Sequence, residues 1–253
     1  MPSDADLPPL NTFWVGPQLG DLEMACLESA ARVGHCVRVF SYGSLDRLPE
    51  GAEARDASEV ASFELVREYV NRGSHAVAAN IWRLALLRKG LGIWIDADVY
   101  VLRPIVSHED CLFGWQDARL INNAVLYLQP DSTLLARLWE FVSEEQWAGS
   151  LDRLTFGATG PKALTRFATE TGDACAALER RVFYPIPYQM VLAIYQPTGD
   201  WRRWCSDQTV AIHLWHSLLP RSVVKNPLEG TLLHEIMECH RRGSGVLNMW
   251  GER

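Results

Sequence analysis

The chain has 253 residues, 48% of them hydrophobic and 22% charged. That is enough apolar material for a large core and too low a charge density for disorder. The formal net charge is −7 and no long basic stripe offsets it, which excludes a nucleic-acid partner on electrostatic grounds. An acidic protein that holds an anionic ligand needs something positive between the two, and a bound divalent cation is one answer.

The opening MPSDADLPPL carries neither a basic nor an apolar leader signal. No apolar run approaches the roughly 20 residues that span a bilayer. Six scattered cysteines form no Cys-x-x-Cys pair and read as reduced thiols of a cytoplasmic protein.

In chain order, residues 1–11 are polar and Pro-rich and read as a loose segment. Thr12–Gly16 is a short strand stopped by Gly-Pro, and Asp21–Val33 has helical spacing ending before Gly34. Cys36–Tyr42 is a second strand, so the chain opens strand–helix–strand, the pattern of a parallel sheet. Residues 43–58 read as a polar loop. Helices are predicted over Ala57–Asn71 and His75–Lys89, the second capped by Ser74. Gly92–Val101 is a strongly apolar strand with two aspartates inside it, Asp96 and Asp98. Leu112–Trp115 and Ala124–Leu128 are short strands, and Ser132–Val142 and Lys162–Thr169 are helices. Arg181–Ile186 and Val210–Trp215 are late strands, and Thr231–Arg242 is a last amphipathic helix. Its stripe of Leu232, Leu233, Ile236 and Met237 fits packing on the domain, with peripheral contact to the inner face of a membrane as the alternative.

Asp96 and Asp98 are the sharpest chemical signal. In a strand, residues two apart share a face at roughly 6.5–7 Å along the chain. Two carboxylates so placed can share a cation and its hydration shell. Their flanks, Ile-Trp-Ile and Val-Tyr-Val, call for burial, and an unpartnered buried carboxylate costs several kcal/mol. The pair therefore faces a cleft or holds a cation. On the preceding helix, Asn80 and Arg83 are three apart and lie on one face. An amide and a guanidinium there can hold a sugar hydroxyl and a phosphate oxygen together.

The stretch AANIWRLALLRKGLGIWIDADVYVLRPI resembles the signature of glycosyltransferase family 32 and the large clostridial glucosylating toxins. That signature is a Ser-Asp-x-x-Arg helix, a Gly-Gly-Ile-Tyr-Leu strand, Asp-x-Asp, then Val-Leu-Arg-Pro. The resemblance implies a GT-A, Rossmann-like α/β fold with a mixed, mostly parallel central sheet. It also implies a single catalytic domain over residues 12–253, with 12–100 as the nucleotide-binding half and 101–253 as the acceptor-side half. The activity implied is a metal-dependent, retaining transfer of a hexose from a nucleotide sugar to an acceptor hydroxyl. A UDP-sugar is the first expectation and GDP-mannose the second. The acceptor class implied is a carbohydrate or a glycolipid, in polysaccharide or glycoconjugate synthesis.

Carried over by position, Asp98 resembles the direct Mn²⁺ (or Mg²⁺) ligand. Asp96 resembles the aspartate that reaches the donor and metal-bound water, and Arg83 the arginine on the donor sugar or phosphate. FWVG at 13–16 resembles the family's opening strand, in which Trp14, with Val15 beside it, takes the nucleotide base; such stacking is worth roughly 1–3 kcal/mol. AIHLWHS at 211–217 resembles the late His-x-Trp motif, with His213 as the further metal ligand and His216 as second choice. Lys225 or Ser217 would touch the diphosphate, and Trp215 is a further donor contact. Asn122-Asn123 and Thr159-Gly160-Pro161 resemble segments around the sugar and acceptor pocket; Asp117, in the same stretch, is a candidate contact to the donor sugar or acceptor and a weak candidate nucleophile. The chain departs from the family at Asn80, where Asp is usual, at Trp94, where Tyr is usual, and at Leu91, where Gly is usual. The first two positions are donor contacts, so the departures bear on donor identity. Two other readings compete: a phosphatase whose strand ends in Asp-x-Asp, and a nucleotide-sugar binder without catalysis.

Overall fold

The computed structural model describes residues 7–106, 110–143, 157–197 and 200–247. Its order is set by three strands that are buried along most of their length: β1 (Leu10–Phe13), β2 (Val37–Ser41) and β4 (Ile93–Ile95). Between β1 and β2 runs helix α1 (Asp21–Arg32), and β1 pairs parallel to β2 with Leu10 opposite Val37. A third strand, β3 (Ala52–Asp56), pairs parallel to β2. Helices α2 (Phe63–Asn71) and α3 (His75–Arg88) then return the chain to the other side of β1, where β4 also pairs parallel to it. The antiparallel hairpin β6 (Cys111–Trp115) and β7 (Ile121–Leu128) completes a six-stranded sheet of order β3-β2-β1-β4-β7-β6. Three of its five pairings are parallel, so the α/β sheet is mixed and mostly parallel. A two-stranded sheet joins β5 (Val99–Val101) to β8 (Ala211–His213).

Both faces of the large sheet are covered, as parallel strands require. On one face Leu10, Val37, Val39, Ile93 and Ile95 pack with α1, the small sheet, and helices α7 (Leu192–Tyr195) and α9 (Leu232–Arg242). On the other, Phe13, Phe40 and Trp94 pack with α2, α3, α4 (Thr133–Val142) and α5 (Pro161–Thr171). The remaining helices are short: α6 (Arg180–Phe183) and α8 (Arg221–Lys225). No helix among the described residues is long and apolar enough to cross a membrane.

Several expectations change. The described part of the segment expected to be loose, residues 7–11, enters the sheet. Leu10 and Asn11 are fully buried, the Asn11 amide donates to the carbonyls of Leu91 and Ile93, and the Ile93 N–H donates to the Pro9 carbonyl. Gly92 permits that approach, since a Cβ there would stand 2.6 Å from the Pro9 oxygen. The polar loop at 43–58 contains β3, whose only apolar residues are the alanines Ala52 and Ala54. The helix expected from Ala57 begins at Phe63, after a 3₁₀ turn at Ala57–Glu59 capped by Asp56. Ser74 stands at the N-cap of α3, but its hydroxyl makes no cap hydrogen bond. The strand expected at Arg181–Ile186 gives way to α6, where the Arg180 guanidinium takes the carbonyls of Tyr184 and Pro185 and folds the backbone back. The apolar stripe of α9 is buried, each of its four residues at most 4% exposed, so it is not available to a membrane.

Candidate functional site

The strand expected at Gly92–Val101 breaks in two, with Asp96, Ala97 and Asp98 forming the turn between β4 and β5. The break follows from pairing: β4 is held by β1 and β7 in the large sheet, whereas β5 belongs to β8. The backbone stays anchored on both sides, through Asp96 N–H to the Ala124 carbonyl and Leu214 N–H to the Asp98 carbonyl. The turn lies at the carboxyl end of β4, beside the carboxyl end of β1. Strand order reverses between β1 and β4, and ligands of open α/β sheets bind at such a reversal.

Asp96, Asp98 and His213 converge there, each offering a ligand atom within 4.8 Å of the others. His213 comes from β8, directly opposite Val99 in the ladder. Its Nε2 is 3.3 Å from Asp98 Oδ1, its Nδ1 is buried without a hydrogen-bond partner, and the Trp215 ring lies 4.1 Å away. Burial works against the Asp98 charge, but His213 and the His216 N–H outweigh it and hold the carboxyl down to about 2. Burial likewise opposes a charged His213, and Asp98 outweighs it, so that pKa is raised. Two carboxylates and an imidazole within reach of one another are a donor set that can hold a divalent cation.

Arg83, from α3, lies beneath Asp96. Its Nη2 is 3.0 Å from Asp96 Oδ1, its Nη1 donates to the Asn123 carbonyl, and its guanidinium stacks 4.5 Å from the Trp94 ring. Burial lowers its pKa and Asp96 opposes that shift. Trp94 is 1% exposed and its Nε1 donates to Asp96 Oδ1 at 2.7 Å. Expected as a donor contact, Trp94 is walled in by Trp82 and Arg83 and can act on a ligand only through Asp96.

Asn80, Asn123 and Thr159 form a second cluster. The Asn123 amide donates to Asn80 Oδ1 at 3.0 Å, and the Asn80 amide donates to the Thr159 hydroxyl at 3.1 Å. Gly160 closes over them; a Cβ there would stand 3.0 Å from Asn80 Nδ2. Asn122 is inside β7 rather than ahead of it and is committed to the protein, donating to Gln116 and accepting from the Ala124 N–H. Asp117 Oδ1 accepts from the N–H groups of Arg119 and Leu120, closing the β6–β7 connection, and Gln116 donates to its Oδ2.

Trp14 and Val15 follow β1 directly and, with Ser41, Tyr42 and Phe63, line a cleft of about 310 Å³. Trp14 Nε1 donates to the Gln18 carbonyl, which leaves its ring as a wall. Trp215 donates to the Ile186 carbonyl, Ser217 is exposed in the following 3₁₀ turn, and Lys225 is exposed at the end of α8. Two site neighbours escaped the sequence. Tyr184, fully buried, accepts from the Val125 N–H and meets His213 edge-on at 5.8 Å; burial raises its pKa. Glu23, 3% exposed, meets His216. In the sequence Glu23 lies off the stripe of Leu22, Ala25 and Cys26, so nothing signalled its burial.

No family model matches the chain. Among curated proteins it is similar to the lactosylceramide 4-alpha-galactosyltransferase of Mus musculus, at 28% identity over 55% of this chain, and it spans 41% of that relative. Among solved structures it is similar to one described as PaToxG glycosyltransferase, with a TM-score of 0.49 and 11% identity, covering 65% of this chain and 71% of that one. The Mus musculus relative is a galactosyltransferase by name.

Proposed function

We propose that this chain is a metal-dependent glycosyltransferase of GT-A type that takes a hexose from a nucleotide sugar. The observation that carries the reading is the convergence of Asp96, Asp98 and His213 at the strand-order reversal. The mouse relative supports sugar transfer as the chemistry.

Asp98 and His213 would hold Mn²⁺ or Mg²⁺ directly, with Asp96 reaching it through water. An ion bound there supplies Lewis-acid stabilisation of charge on the leaving diphosphate. Arg83 adds a fixed positive charge that is already desolvated, so it need not reorganise as the bond breaks. The base would lie in the Trp14–Phe63 cleft and the sugar beside Asn80, Asn123 and Thr159. Ser217 and Lys225 are the exposed polar groups proposed for the diphosphate.

Retention follows from attack on the same face of the sugar. The bond from C1 to the phosphate oxygen breaks, the acceptor oxygen bonds to C1, and the acceptor proton passes to the departing phosphate oxygen. A double displacement through Asp117 is disfavoured because its Oδ1 already closes a turn. UDP-hexoses are the first donors proposed and GDP-mannose the next, with a carbohydrate or glycolipid acceptor. A reducing, cytoplasmic setting is the proposal that the cysteine spacing supports.

One observation favours a second reading, a binder without turnover. The Asn80 amide uses both its oxygen and its nitrogen in protein hydrogen bonds. The deciding experiment is a panel of UDP-hexoses and GDP-mannose with Mn²⁺ and with chelator, scored by thermal shift and donor hydrolysis. Chelator-sensitive hydrolysis, abolished by Asp98→Asn, is expected. Binding without hydrolysis selects the second reading, neither response sinks both, and an inverted product overturns same-face attack.

A further inference from the structure

We infer that Glu23, in the first turn of α1, is a positioning residue that sets the metal affinity of Asp98 through His216. The inference rests on the reading of Asp98 as a metal ligand. The Glu23 side chain is 4% exposed, and its Oε1 lies 2.5 Å from His216 Nδ1. An ionised carboxylate only accepts, so Nδ1 carries the hydrogen and the ring orientation is fixed. The backbone N–H of the same residue, His216, donates to Asp98 Oδ2 at 2.9 Å. One residue thus ties the first turn of α1 to the carboxylate at the β4–β5 turn.

The backbone between them is not at rest. Trp215 has φ 53° and ψ 45°, a left-handed conformation that an aromatic residue adopts only when its surroundings impose it. Two contacts flank that residue: its own Nε1 to the Ile186 carbonyl, and the His216 ring to Glu23. Gly20, the N-cap of α1, is part of the same arrangement. A Cβ at position 20 would fall 2.4 Å from Glu23 Oε2, so a side chain there makes the carboxylate shift. Without the Glu23 contact the Trp215 turn can relax. The His216 N–H then leaves Asp98, which becomes a less well oriented ligand. Outer-shell partners of this kind are worth about 10–100-fold in metal affinity.

The test uses the full chain with Mn²⁺ alone as probe, titrated by calorimetry, alongside the unfolding stability of the metal-free protein. Glu23→Leu is expected to raise the apparent Mn²⁺ Kd about 10–100-fold. Glu23→Gln, whose amide oxygen still accepts from Nδ1, is expected to restore most of that loss. Gly20→Ala keeps the carboxylate but displaces it, and is expected to weaken Mn²⁺ binding as well. A folded Glu23→Leu variant with wild-type Mn²⁺ affinity overturns the inference. If that variant does not fold, wild-type affinity in Gly20→Ala overturns it instead. A Gln variant as weak as the Leu variant also does so, by assigning the effect to charge rather than position. A wild-type chain that binds no Mn²⁺ defeats the metal-site reading itself, which is a separate outcome from wild-type binding that the variants leave unchanged.

Discussion

Arg83 and Asp96 meet where α3 backs onto β4, with Nη2 3.0 Å from Oδ1; the arginine side chain is 5% exposed and the aspartate side chain 28%. The pair combines a desolvated cation with an anion that still reaches solvent. Removing the anion's partner and leaving a similar volume, as in Arg83→Met, is expected to destabilise the fold by about 1–3 kcal/mol, less than for a fully buried broken pair because the carboxylate left behind still reaches solvent. Arg83→Lys should recover only part, because an ammonium cannot reach Asp96 and the Asn123 carbonyl while lying flat on Trp94. Urea unfolding of the three proteins measures this, and a loss below about 1 kcal/mol for the Met variant would contradict the cost assigned to breaking such a pair.

His213 keeps its proton to higher pH than a free imidazole because Asp98 outweighs the effect of burial. A metal must displace that proton. Affinity for Mn²⁺ should therefore climb as pH rises through the raised pKa and level off above it. Asp98, held down to about 2, stays ionised throughout and adds no slope. The metal-free fold behaves oppositely. The His213–Asp98 pair contributes fully below the ordinary histidine pKa of about 6.5 and fades as pH rises through the folded value. Mn²⁺ titrations between about pH 6 and about pH 9 should show proton release at the acid end, and a flat affinity profile would rule out competition with this proton.

His35 joins two distant stretches of chain. Its Nδ1 donates to the Pro8 carbonyl at 2.9 Å and its Nε2 accepts from the Ile105 N–H at 2.9 Å. That pattern requires the neutral ring. Burial lowers the pKa, with the Pro8 bond opposing it. A lowered folded pKa means that the stabilisation is complete above about 6.5 and lost as pH falls below it, because the unfolded chain takes up a proton the folded one refuses. His35→Asn should be less stable than wild type at neutral pH, and the gap should narrow in mild acid. A gap that widens there would mean that the folded His35 pKa is raised, not lowered.

Gly160 leaves room for the Asn80–Asn123–Thr159 cluster. Gly160→Ala puts a Cβ 3.0 Å from one amide nitrogen and 3.2 Å from the other, which overpacks the cluster at a cost of about 1–3 kcal/mol. If the cluster cups the donor sugar, the variant loses the thermal shift given by the intact nucleotide sugar and keeps the one given by the nucleoside diphosphate. Equal loss of both would separate the cluster from sugar binding.

The sequence carried the parallel core in part: β4 is an apolar run, and β2 mixes valine and phenylalanine with polar residues, but Asn11 and Thr12 hide the buried start of β1. It carried β3 not at all: Ala-Glu-Ala-Arg-Asp has the composition of a loop and becomes a strand only through its ladder with β2. The aspartate pair was legible as chemistry but not as geometry. The run from Ile93 to Val101 is apolar on both sides of its two aspartates and reads as one strand, with no local hint that its two halves join different sheets. Glu23 and Tyr184 reach the site from elements far away in sequence, so nothing near Asp98 could announce them.

The unpromising composition of β3 has its own consequence. This strand is one margin of the six-stranded sheet, and Glu53, Ala54 and Asp56 are exposed along it, with Arg55 half-buried. A foreign strand seeking to extend the sheet on this side would have to desolvate charges of both signs within a few residues. The segment that looked least like a strand thus keeps neighbouring molecules from zipping onto an otherwise open β margin.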